Sequence, residues 1–223
     1  MTNNLLWNVA TWLIPLIIAI VFHEVSHGLV ANMLGDPTAK QRGRLTFNPI
    51  KHVDPFGTVL LPMILAVSGA PIFGWAKPVP VVARRLRNPR FHMVLVALAG
   101  PGMNLLLALV AALFLAALVA LAPAGLLWAF IGKNLLNFLA INVFLAVFNL
   151  IPLPPFDGGH VVEGLLPLKL AKHYAKLQRY GLLLLIILLL VIPQFFPNAN
   201  IVQRLVGPPA EWITRALLPY SLS

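Results

Sequence analysis

The chain has 223 residues, of which 60% are hydrophobic and only 10% are charged, and its mean hydropathy is +0.89. A soluble domain of this length would carry about 25% charged residues, so the composition excludes that class and predicts an integral membrane protein. The net charge of +10 does not predict a nucleic-acid partner, because the cations lie in short loops between apolar segments. The absence of cysteine excludes disulfides and thiolate metal ligands.

Five or six apolar segments predict an all-α polytopic membrane protein. In chain order they cover approximately residues 7–34, 57–73, 91–121, 126–150, 174–192 and 201–218. The second segment is short and is broken by prolines and a glycine. The last is interrupted at residues 207–209, so we expect it to lie in the membrane interface or to span weakly. The chain length suits one membrane domain over residues 1–223.

The first apolar segment carries a His-Glu-x-x-His motif. No basic region precedes this segment, so we expect a retained membrane helix rather than a cleaved signal peptide. His23 and His27 lie on one helix face and can reach a single metal ion. Glu24 falls about 60° from His27 and can approach a metal-bound water without being a ligand. This arrangement is typical of zinc-dependent peptide hydrolysis; a purely structural buried network is the alternative.

The basic loops predict the topology. Cations concentrate at residues 35–56, 74–90 and 165–180, and the turn at 122–125 has none. If segment 57–73 crossed the membrane, the first two basic loops would face opposite sides. Its short length and helix breakers instead predict a re-entrant or extended segment at about 57–82, with all three loops cytoplasmic. The first helix then places His23, about 24 Å beyond Trp7, toward the cytoplasmic side.

A catalytic zinc site needs a third protein ligand and an open position. Of the six acidic residues, Asp157 is the best candidate, because it follows the fourth apolar segment where the chain returns to the side of the histidines. Three prolines at 152–155 prevent a regular helix there, so the broken backbone can aim the carboxylate inward. Gly158 and Gly159 permit a tight turn beneath it. A turn-capping aspartate is the alternative.

Three motifs together resemble the site-2 protease family of intramembrane zinc metalloproteases. They are His-Glu-x-x-His at 23–27, Ala-Gly-Pro-x-x-Asn at 99–104 and Asn-x-x-Pro-x-x-x-x-Asp-Gly at 149–158. The run Gly-Trp-Ala-Lys-Pro-Val-Pro at 74–80 is similar to that of compact bacterial members, without a PDZ or CBS domain. The resemblance covers residues 20–160.

The resemblance implies a three-helix catalytic core at about 7–160 with peripheral segments at about 165–223. It implies an enzyme of the bacterial plasma membrane that cleaves substrates which are themselves transmembrane helices. From the loop charges we expect the site to face the cytoplasmic side. Regulation by an appended domain in the same chain is not expected.

For the site, the resemblance implies one Zn²⁺ per chain. Its ligands are His23, His27 and Asp157, and Glu24 is the general base. Asn149 matches the asparagine of the third motif and is implied to hold substrate backbone or the developing oxyanion.

Two other functional classes remain as alternatives. A zinc-binding membrane transporter would need polar groups along a full crossing, and the third and fifth segments offer almost none. A catalytically inactive scaffold that binds membrane helices would not need Glu24.

Other residues receive plainer interpretations. Asn104 and its neighbouring glycines are interpreted as helix packing through small residues, and His52, His92 and His173 as surface residues. Residues 75–82 are hypothesised to offer a strand edge to an unwound substrate; a surface loop is the alternative.

Overall fold

The described part of the chain is mainly helical. The computed structural model describes residues 5–68, 74–121, 124–195 and 201–218. They form, in order, α1 (Leu5–Met33), α2 (Thr38–Gln41), α3 (Leu61–Ser68), α4 (Pro89–Leu121), α5 (Leu126–Asn149), α6 (Asp157–Leu165), α7 (Leu168–Tyr174), α8 (Gly181–Ile186), α9 (Ile192–Phe195) and α10 (Ile201–Leu217). Short 3₁₀ or π turns lie at Pro49–His52, Pro55–Leu60, Ala83–Arg85, Ala175–Tyr180 and Ile187–Val191. No strand occurs in the described ranges, which confirms the all-α prediction.

Three helices, α1, α4 and α5, are long and apolar enough to cross a membrane. They pack against one another in all three pairings and correspond to the first, third and fourth predicted segments. An integral membrane protein built around a three-helix core follows from these lengths. The number of membrane segments beyond these three stays a prediction.

A proline inside α1 is compensated by α5. Pro15 has no N–H to donate to the carbonyl of Thr11. The buried Asn137 side chain of α5 supplies the missing donor, with Nδ2 2.7 Å from the Thr11 oxygen. The bond satisfies a carbonyl that would be costly in an apolar setting and joins α1 to α5 in the half of α1 that precedes the histidines.

The second predicted segment is helical only at its start. The π turn Pro55–Leu60 continues directly into α3, so the described helix is about 21 Å long and shorter than a hydrocarbon core of about 30 Å. Residues 69–73 lie outside the described residues. Residues 74–82 form neither helix nor strand. They follow the helix and are called the extended segment below.

The three basic loops lie at the same end of the molecule. The Arg44 guanidinium donates to the Lys77 carbonyl at 2.8 Å, and the Lys77 N–H donates to the His52 carbonyl at 2.8 Å. The Arg90 guanidinium donates to the Leu166 carbonyl. Because these bonds join residues on both sides of segment 57–73, the structure favours a segment that returns over one that crosses.

The prediction that His52 is a surface residue is wrong. Its side chain is buried, and Nε2 donates to the Thr46 carbonyl at 2.8 Å. The Lys77 N–H donates to the His52 carbonyl, so residues 74–82 lie next to this loop. His173 is exposed, as predicted, and His92 is half-buried.

The last predicted segment differs from the prediction, and the fifth does not. The 174–192 segment is helical without a gap from Ala175 to Phe195, through 3₁₀, α and π turns, and its crossing of the membrane stays a prediction. The expected interruption at 207–209 is wrong, because α10 continues through both prolines. Val206 is buried in a hydrophobic cluster with Ile151 and Leu185. Ala210 packs against this cluster and against a second one that contains Leu139 and Val143. This packing offsets the lost backbone bonds.

Asp36 joins the end of α1 to the extended segment. Its fully buried carboxylate accepts hydrogen bonds from the Thr38 N–H and hydroxyl and, at 2.6 Å, from the Val82 N–H. Burial alone would raise the pKa of Asp36, but these hydrogen bonds and the nearby Arg85 lower it below the ordinary value of 3.8.

Asp36→Asn is expected to destabilise the protein by about 1.5–3 kcal/mol at neutral pH, because a hydrogen-bonded charge is lost. The folded pKa lies below the unfolded one, so this stabilisation is present above about pH 4 and is lost as pH falls through the folded value. Thermal unfolding in detergent across pH 3–7 measures this. The control Asp54→Asn keeps the cap on the Phe56 and Gly57 N–H groups. If Asp36→Asn and Asp54→Asn lost equal stability, the proposed stabilising role of the Asp36 charge would be contradicted.

Candidate metal centre

His23 and His27 of α1 meet Asp157 at the start of α6. The two Nε2 atoms are 3.1 Å apart, and Asp157 Oδ2 is 3.2 Å from Nε2 of His23 and 3.3 Å from Nε2 of His27. The structure therefore brings together the three side chains that the sequence proposed as metal ligands.

All three converging atoms present lone pairs. Nδ1 of His23 lies 2.6 Å from Asn104 Oδ1, and Nδ1 of His27 lies 2.7 Å from the Val96 carbonyl. These oxygens can only accept, so both Nδ1 atoms donate, and in the neutral rings both Nε2 atoms are unprotonated. Asp157 Oδ2 is buried and accepts no hydrogen bond. Three acceptors facing one another are unfavourable without a cation between them.

The spacing fits zinc. Tetrahedral ligands about 2.0 Å from the ion lie about 3.3 Å apart, close to the 3.1–3.3 Å separations of the three atoms. Two imidazoles and one carboxylate also match the three-ligand pattern of catalytic zinc, which keeps the fourth position open.

Two glycines set the position of Asp157. A Cβ on Gly158 would overlap the Leu150 carbonyl oxygen, and one on Gly159 would lie 2.9 Å from the Pro154 nitrogen. Neither glycine has a positive φ. The glycines therefore do not serve a left-handed conformation; they allow the first turn of α6 to pack closely against the chain leaving α5.

Gly100 of α4 makes room for the imidazoles. A Cβ there would lie 2.5 Å from Cε1 of His23 and 2.6 Å from Cε1 of His27. From the sequence, the glycines near Asn104 are interpreted as packing residues, and for Gly100 this is correct. The groups that pack against Gly100 are the imidazoles of the two candidate ligands.

Gly100→Ala is expected to lower proteolytic activity by on the order of 100-fold, because both rings must move and small displacements of catalytic groups are that costly. The matched control is Gly102→Ala, since a Cβ at Gly102 would meet nothing within 4 Å. Cleavage rates of the two variants at saturating zinc test this. Equal rates would show that the space at Gly100 does not matter.

The interpretation of Asn104 as a packing residue is wrong. Its side chain is fully buried, accepts from His23 Nδ1 and donates to Asn142 Oδ1 at 2.7 Å. Asn142 is fully buried as well and was not singled out in the sequence. One asparagine in α4 and four in α5 were the signal available, because polar groups at membrane depth are seldom without a role.

Glu24 contacts the extended segment. Its Oε2 accepts a hydrogen bond from the Val79 N–H at 2.9 Å. The Val79 side chain is buried against α1, where a Cβ on Gly28 would lie 2.7 Å from it. Residues 74–82 are thus attached to α1 through Glu24 and to the turn after α1 through Asp36, a pairing that the sequence did not reveal.

Asn149 has a local contact. It is the last residue of α5, and its Nδ2 donates to the Leu145 carbonyl at 2.9 Å. Its assignment to substrate binding stays a proposal.

Comparison with known proteins gives a consistent family. Residues 126–192 match the model of peptidase family M50. The chain is 42% identical over 179 residues to "Putative zinc metalloprotease YwhC" of Bacillus subtilis, covering 78% of each chain. It is 31% identical over 189 residues to "Putative zinc metalloprotease Rip2" of Mycolicibacterium smegmatis, covering 82% of this chain and 66% of that protein. The Mycobacterium tuberculosis protein of the same name is 32% identical with the same coverage. No solved structure matches the chain significantly.

Proposed function

This chain belongs to peptidase family M50, the site-2 protease family, and is an integral membrane zinc metalloprotease; we propose that it hydrolyses peptide bonds in or near the transmembrane segments of other membrane proteins. Regulated intramembrane proteolysis is the corresponding cellular role. Two of the three candidate ligands, His23 and His27, lie on α1, a helix that is apolar enough to span a membrane, so its substrates reach the site from the bilayer.

The convergence of three lone-pair atoms carries this proposal. The ligands are Nε2 of His23, Nε2 of His27 and Oδ2 of Asp157, which hold one zinc ion per chain. Bound zinc lowers the pKa of its water to about 7 and polarises a carbonyl.

Glu24 acts as the general base. It follows His23 on α1 and lies on the same arc of the helix as His27. Its carboxylate takes the proton of the attacking water and delivers it to the leaving amine. The Val79 N–H engages Oε2, which fixes the carboxylate orientation, and Asn149 contacts the substrate backbone or the oxyanion.

The active site faces the cytoplasmic side of a bacterial plasma membrane. The basic loops lie at one end of the molecule, the end at which α6 begins with Asp157, and cytoplasmic loops are enriched in Lys and Arg. Water reaches the site from that side.

Residues 75–82 pair with the locally unwound substrate as a strand edge. Val81→Pro is expected to slow cleavage, because proline cannot donate to a strand pair, while the bonds from Val79 to Glu24 and from Val82 to Asp36 remain. Val79→Pro is not a clean test, since it would also remove the bond to Glu24. The measurement is the initial cleavage rate in liposomes, and an unchanged Val81→Pro rate would discard the idea.

Cleavage-site mapping tests the proposed function. The zinc-loaded protein is reconstituted in liposomes with a panel of single-span membrane proteins, and the product termini are identified by mass spectrometry. We expect new termini in or next to the transmembrane segments and no cleavage of an unfolded soluble polypeptide at the same enzyme concentration. Cleavage of soluble chains alone would overturn the proposal. The transporter and scaffold alternatives predict no cleavage at all.

A further inference from the structure

A chain of buried amides connects α5 to His23. The Phe138 carbonyl accepts from Asn142 Nδ2 at 2.8 Å, Asn142 Oδ1 accepts from Asn104 Nδ2 at 2.7 Å, and Asn104 Oδ1 accepts from His23 Nδ1 at 2.6 Å. Both asparagines are fully buried. We propose that Asn142, which does not touch His23, selects through Asn104 the tautomer and ring orientation in which His23 binds zinc.

The direction of this chain is determined at its far end. A backbone carbonyl can only accept, so the Asn142 side chain must turn its nitrogen toward Phe138 and its oxygen toward Asn104. That oxygen requires the nitrogen of Asn104, which also faces the Ala19 carbonyl at 3.4 Å. The Asn104 oxygen is therefore directed at His23 and requires a proton on Nδ1.

The opposite arrangement would disable the site. If the Asn104 amide were reversed, its nitrogen would face His23 Nδ1, which would then have to accept. The ring proton would move to Nε2 and occupy the lone pair that zinc needs. His27 requires no such relay, because the Val96 backbone carbonyl fixes its tautomer directly.

Asn104 and Asn142 are thus positioning residues. Helix α5 orients the His23 ligand of α1 through them, and the chain that follows α5 carries the Asp157 ligand. Partners that orient metal-binding histidines typically contribute 10–100-fold to metal affinity. The inference rests on the proposed role of His23 as a zinc ligand.

The test is a double-variant cycle read out as the dissociation constant for Zn²⁺, measured by chelator competition in detergent. Asn142→Leu is expected to weaken zinc binding about 10-fold or more. Asn104→Asp keeps an acceptor for His23 Nδ1 whichever way the carboxylate turns. In the Asn104→Asp background, Asn142→Leu should therefore change the affinity by less than about twofold.

The matched control is Asn137→Leu. Asn137 is a buried asparagine of the same helix that bonds to α1, through the Thr11 carbonyl, whereas Asn142 bonds to α4, and the described bond of Asn137 does not lead to His23. Its replacement removes a comparable structural bond, so thermal stability should fall as in Asn142→Leu while zinc affinity stays within about twofold of wild type.

Unchanged zinc affinity in Asn142→Leu, or an equal loss in both backgrounds, would overturn the relay. If Asn142→Leu does not fold, Asn142→Ser gives the same comparison. His23→Ala distinguishes the role of His23 as a zinc ligand from the role of the two asparagines. Wild-type zinc affinity in His23→Ala refutes the ligand assignment, whereas loss of zinc there with normal affinity in Asn142→Leu refutes the relay alone.

Discussion

Glu24→Gln is expected to lower the rate of peptide-bond cleavage by about 10²–10⁴-fold, the usual contribution of a general base. Glutamine has nearly the same shape but cannot take a proton at neutral pH. Its side-chain oxygen can still accept from the Val79 N–H, so the extended segment stays in place. Because Glu24 is not a proposed ligand, the variant should bind zinc as wild type does.

The comparison needs both cleavage rate and zinc content from the same preparation. Glu163→Gln is the matched control, since Glu163 hydrogen-bonds to Gln178 and lies outside the three-residue cluster. Retained cleavage in Glu24→Gln would remove the general-base role. Loss of zinc in the same variant would instead make Glu24 a ligand.

Asp157→Ala is expected to weaken zinc binding by more than the roughly 100-fold that loss of an outer partner costs. The change leaves two imidazoles and no carboxylate in the site. Chelator competition with Zn²⁺ measures the affinity, and cleavage should fall with zinc occupancy. Asp54→Asn serves as the control. Asp54 caps the turn Pro55–Leu60 and is not one of the three proposed ligands.

Thermal unfolding distinguishes ligand loss from misfolding. In metal-free protein a proton on either imidazole can be donated to the Asp157 carboxylate, which lies 3.2 and 3.3 Å from the two Nε2 atoms, so each variant is compared with its own metal-free melting temperature. Stabilisation by added zinc, which requires binding to the folded state, should disappear. Wild-type zinc stabilisation in Asp157→Ala would refute its role as a ligand.

The sequence predicted the metal-ligand set because the ligand residue types and their helical spacing indicated the same site. The two histidines sit four apart on a long apolar helix, and Asp157 follows a proline-broken return of the chain, so a shared site required only that both ends lie on one side. The three long helices followed from length and hydropathy alone.

The sequence did not predict contacts that depend on tertiary packing. Asn142 meets Asn104, and Val79 meets Glu24, only because distant parts of the chain lie side by side. A glycine-rich run with one asparagine looks the same whether it packs helices or orients a histidine, so Asn104 was misinterpreted. The helix through Pro208 and Pro209 was missed because burial of neighbouring apolar side chains outweighed local preference.

Anomalous diffraction at the zinc edge from crystals of the zinc-loaded protein locates the ion relative to the three proposed ligands. One strong peak per chain is expected, within about 2.0–2.2 Å of His23 Nε2, His27 Nε2 and Asp157 Oδ2. A peak bound by other residues, or one that the Asp157 carboxylate does not touch, would contradict the proposed ligand set.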